Sequence, residues 1–95
     1  MRLTETDIFI IKEAFNKIFQ KGDIFLFGSR VDDNKKGGDI DLYICLDDKN
    51  ELFEKKLKFL SFIKRKIGDR KIDIVFNKDK RRLIEREAIK NGIKL

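Results

Sequence analysis

Histidine and proline are absent from these 95 residues, and cysteine occurs once, at position 45. Without histidine, and with a single thiol, zinc sites of the usual kind are excluded. Imidazole acid–base chemistry is excluded as well, so any catalysis must use carboxylates, lysines, hydroxyls or a hard metal ion. One cysteine cannot close an intramolecular disulfide. Together with a charge-rich composition this suggests a reducing compartment, and a cytoplasmic location is expected. No apolar run approaches the roughly 20 residues needed to span a bilayer. The first seven residues turn acidic and then amphipathic, unlike a secretory signal. No repeat or linker is visible, so one domain over 1–95 is expected.

What is abundant is charge. Charged residues make up 42%, with Lys+Arg 23 against Asp+Glu 17 and a net charge of +6. Such a surplus favours anionic partners: nucleotides, nucleic acid or an acidic protein face.

The spacing of Ile8, Ile11, Phe15, Ile18 and Phe19 predicts a helix over 4–20, with Thr4 and Asp7 as a capping box and Gly22 ending it. Residues 23–28 read as a strand covered on both faces, and 29–38 as a polar loop. Over 39–46 the pattern alternates, with Ile40, Leu42, Ile44 and Leu46 on one face and Asp39, Asp41, Tyr43 and Cys45 on the other. A helix is predicted over 49–67, with Phe53, Leu57, Leu60, Ile63 and Ile67 as its apolar stripe and Gly68 as C-cap. A strand is predicted over 71–77. A last helix runs from an Asp79 cap through Ile89, closed by Gly92 before a short Ile93-Lys94-Leu95 tail. The nine phenylalanines read as core. The fold class is α/β (α+β), a short mixed sheet packed with helices.

Aspartate is a poor strand former, and two at i and i+2 in an apolar strand lie side by side on one face. Asp39 and Asp41 do this, and Asp73 repeats the placement between two isoleucines. Strand-end aspartates can simply solubilise an exposed face. If the two strands are neighbours, however, three carboxylates converge, a donor set suited to Mg²⁺ or Mn²⁺. Gly28-Ser29 at the end of the first strand offers close backbone approach and a hydroxyl to phosphate oxygens. Arg30, Lys35 and Lys36 follow and can offset phosphate charge.

Taken together, Phe25-Leu26-Phe27-Gly28-Ser29-Arg30, Gly38-Asp39-Ile40-Asp41-Leu42-Tyr43-Ile44 and Lys71-Ile72-Asp73-Ile74-Val75 resemble the DNA polymerase β-like nucleotidyltransferase superfamily. The closest resemblance is to its minimal nucleotidyltransferases. Gly38 departs from the serine that many relatives have before the first aspartate. The resemblance implies that Asp39 and Asp41 hold two Mg²⁺ ions on the triphosphate of ATP and that Gly28, Ser29 and Arg30 bind phosphates. It implies that Asp73 completes the metal site and helps deprotonate the attacking hydroxyl. It further implies a HEPN-domain protein as partner, with AMP transferred to a tyrosine of that toxin and the chain acting as its antitoxin. Two alternatives stay open: a non-catalytic module that neutralises its partner by contact, and a transferase acting on a small molecule or RNA.

Overall fold

The computed structural model describes residues 4–27, 40–68, 70–79 and 81–95. The elements run α1 (Glu5–Ile18), β1 (Asp23–Phe27), β2 (Ile40–Cys45), α2 (Leu52–Ile67), β3 (Ile72–Phe76), α3 (Leu83–Asn91) and β4 (Ile93–Lys94). The expected capping box is present. The Thr4 hydroxyl accepts from the Asp7 amide at 3.0 Å, and the Thr4 amide donates to the Asp7 carboxylate at 3.3 Å. α1 stops earlier than Gly22, at a Phe19 C-cap, and Gln20 takes the first left-handed position (φ 69°). Gly22 (φ 113°) then turns the chain into β1 against the Cys45 carbonyl, where an added Cβ would collide.

The sheet has the order β3-β2-β1-β4. β1 pairs antiparallel with β2 and β4, while β2 pairs parallel with β3, which makes the sheet mixed as expected. The Asn77 side chain extends the β2–β3 seam: its carbonyl accepts from the Leu46 amide at 2.8 Å and its NH₂ donates to the Leu46 carbonyl at 3.0 Å.

Strand parity divides the residues between two layers. Ile24, Leu26, Ile40, Leu42 and Ile44 point to one face and pack with Ile11, Phe15, Phe59 and Ile63 of α1 and α2. On the opposite face Phe27 and Tyr43 pack with Ala88 of α3, and Phe25, Cys45 and Val75 flank them. The first layer is the main core. Among the described residues no helix is long and apolar enough to cross a membrane.

Further expectations need correction. α2 buries Phe59 and Ile63, whereas Phe53 is 67% and Leu57 49% exposed, so its inward stripe is rotated from the expected one. Both stripes contain Ile63, and packing of Phe59 edge-on to Phe19 (5.6 Å between centroids) accompanies the observed one. The exposure of Phe53 and of Phe9 also means that not all phenylalanines are core. Asp79 caps no helix: α3 begins after Arg82, and Asp79 instead binds the Arg81 amide and guanidinium (2.9 Å each). Finally, the tail contributes a strand, with Leu26 opposite Ile93 and Phe25 opposite Lys94.

Candidate active site

The parallel pairing of β2 with β3 sets Asp41 directly opposite Asp73. Partners in register share a face, so the two carboxylates lie side by side on the face that α3 occupies. Asp41 is half-buried and Asp73 exposed on the edge strand. On the other flank Asp41 pairs with Phe27, the last residue of β1. The strand adjacency that the aspartate pattern required is therefore present.

Gly28, Ser29, Arg30 and Asp39 lie outside the described residues, as do Lys35 and Lys36. By covalent connectivity Gly28 follows Phe27 and Asp39 precedes Ile40, the two ends that β1 and β2 present beside Asp41. Among the described residues no group of three or more Asp, Glu, Cys or His could hold a metal ion. What is described is a pair of adjacent carboxylates, a hard-oxygen donor set that fits Mg²⁺ or Mn²⁺ once a third ligand joins it.

The chain belongs to the nucleotidyltransferase domain family. Its family model matches residues 8–95, which takes in both aspartate strands. A solved structure described provisionally as a nucleotidyltransferase is similar, with 27% identity and a TM-score of 0.59. The likeness covers 93% of this chain and 96% of the other. Among curated proteins no match is found. The nucleotidyltransferase family assigns nucleotidyl transfer as the general chemistry.

In this nucleotidyltransferase domain, two residues beyond the aspartates stand out that sequence patterning does not single out as a pair. Tyr43 lies two residues along β2 from Asp41, on the same face, and its fully buried hydroxyl donates to Glu85 at 2.7 Å. Glu85 is itself fully buried on α3 and also accepts from the Asp79 amide at 2.8 Å and the Lys78 amide at 3.1 Å. Arg82 adds an ion pair at 3.3 Å. Burial alone would raise the Glu85 carboxyl, but the Asp79 amide, the Tyr43 hydroxyl, the Lys78 amide and the Arg82 charge outweigh it and hold it below its ordinary value. Burial, and then the neighbouring Cys45 thiol and Glu85 carboxylate, push the Tyr43 phenol upward, so it stays neutral. The pair fastens α3 and the turn after β3 to the face that carries the aspartates.

Proposed function

We propose that this domain transfers the nucleoside monophosphate of a nucleoside triphosphate, AMP from ATP, to a tyrosine hydroxyl of a protein partner, in a Mg²⁺-dependent reaction. The observation that carries this reading is the placement of Asp41 opposite Asp73 in a chain of the nucleotidyltransferase family. Asp39, Asp41 and Asp73 are the residues that would hold the metal ions, which when bound neutralise the triphosphate and stabilise entering and leaving oxygens. Gly28, Ser29 and Arg30 would bind the phosphates. Asp73, exposed at the sheet edge, takes the proton from the incoming hydroxyl. The hydroxyl oxygen bonds to the α-phosphorus as the bond to pyrophosphate breaks.

The acceptor belongs to another chain. Tyr43, the chain's single tyrosine, is buried with its proton committed to Glu85, so this domain presents no tyrosine of its own for modification. Resemblance to the minimal nucleotidyltransferases supports a HEPN-domain toxin as that chain, with modification as the antitoxin mechanism.

The test is to incubate the protein with Mg²⁺, α-labelled ATP and a candidate HEPN partner, comparing wild type with Asp41→Asn and Asp73→Asn. Label on a partner tyrosine that depends on Mg²⁺ and on both aspartates is expected. Label on RNA or a small molecule instead would move the acceptor assignment. Neutralisation by the variants equal to wild type, without label, would mean that contact alone silences the partner.

A further inference from the structure

On the side of the sheet away from the aspartates, α1 and α2 leave a groove of about 370 Å³ between their outer surfaces. Ile18, Leu57 and Phe62 supply its apolar wall, and Lys17, Lys58 and Arg65 its rim; no acidic residue lines it. Leu57 is half exposed although nothing in the described structure uses its side chain outward. We infer that this groove docks an acidic amphipathic helix of a partner protein.

Charge complementarity carries the choice of occupant. α2 holds six basic residues, Lys55, Lys56, Lys58, Lys64, Arg65 and Lys66, against Glu54 alone. Among the described residues the groove's cations make no ion pair; those that form join Arg70 to Asp7, Arg81 to Asp79, Arg82 to Glu85 and Lys94 to Asp23. Their charge is therefore available to an incoming anionic surface. The apolar wall asks for aliphatic side chains at helical spacing, the pattern of a helix laid in a groove.

Nucleic acid fits less well. The Phe62 ring, the aromatic of the groove, already carries the Lys17 ammonium at 5.5 Å and the Lys66 ammonium at 5.2 Å from its centroid, contacts with which a stacking base would have to compete. A second copy fits poorly too. If two copies met through this same face, the six cations of one α2 would oppose those of the other.

The probe is a fluorescein-labelled helical peptide of about five turns, with leucines at i, i+4 steps and glutamates elsewhere. Its controls are a scrambled peptide of the same composition and a single-stranded oligouridine. Fluorescence anisotropy is expected to show saturable binding on the order of tens of micromolar for the patterned peptide, weakening several-fold between low and physiological salt. Leu57→Glu, and separately Lys58→Glu with Arg65→Glu, should each lower affinity roughly tenfold or more. These sites are exposed, and unchanged melting curves would show that the fold survives. Asp41→Asn should bind the peptide like wild type, which separates docking from nucleotidyl transfer. Equal binding of the scrambled peptide, preference for the oligouridine, no binding, or dimerisation that Leu57→Glu abolishes would each overturn the inference.

Discussion

At Glu85 four donors converge on one buried carboxylate: Tyr43, Lys78, Asp79 and Arg82. Glu85→Ala strands a buried phenol and two partly buried amides and is expected to cost about 3–5 kcal/mol. Tyr43→Phe removes one hydrogen bond to a charged group and should cost about 1–3 kcal/mol. Urea denaturation at neutral pH checks both. The carboxyl's folded value lies below its unfolded one, so its contribution is whole above the ordinary carboxylate range. It is lost as pH falls through that lowered value. Glu85→Gln should accordingly flatten the acid limb of the stability profile; an unchanged limb would show that other carboxylates set it. At Asp41 and Asp73 the expected effect is on chemistry. Replacing either by asparagine should reduce label transfer on the order of 10²–10³-fold, the scale of removing one electrostatic contact to the transition state.

At the scale of elements, the rotation of α2 gives a sharp contrast. Phe59→Ala empties a core position and should cost about 3–5 kcal/mol. Phe53→Ala, on the expected stripe but exposed, should stay within about 0.5 kcal/mol. Thermal melts of the two variants decide between the faces. The sequence shows that a helix is there because apolar residues recur at three and four. It does not show which side faces inward, because Phe53, Leu57 and Leu60 compete with Leu52, Phe59 and Phe62 at equivalent spacing. β2 and β3 are legible for the opposite reason: a period of two leaves one choice of face, and isoleucines and leucines make it. β4 is too short to carry a pattern of its own, and β1 defines it by pairing. Glu85 is illegible because a glutamate on a short helix reads as solvated, and its partners come from β2 and the turn after β3. Gly28, Ser29, Arg30 and Asp39 rest on the motif alone.

For the whole molecule, the sheet sets the larger part of the core apart from the chemistry. The main core lies against α1 and α2, and the aspartates lie on the opposite face. Asp73→Asn should therefore leave the melting temperature nearly unchanged while transfer falls. Mg²⁺ should stabilise wild type, by about 2.7 kcal/mol at a hundredfold excess over its dissociation constant, and should stabilise Asp41→Asn less. Calorimetry with and without the ion measures both; equal shifts in the two proteins would mean the ion binds elsewhere.

The register of β2 and β3 has one more consequence. Ile40, Leu42 and Ile44 face the same layer as Ile72, Ile74 and Phe76, and this burial fixes the alignment that places Asp41 beside Asp73. A slip by one residue would drive a carboxylate into the oil of the core, so misaligned chains are rejected before they can be misassembled catalysts. Hydrophobic patterning thus acts as proofreading for the carboxylate pair: a molecule that has folded has, by the same act, had its aspartates aligned.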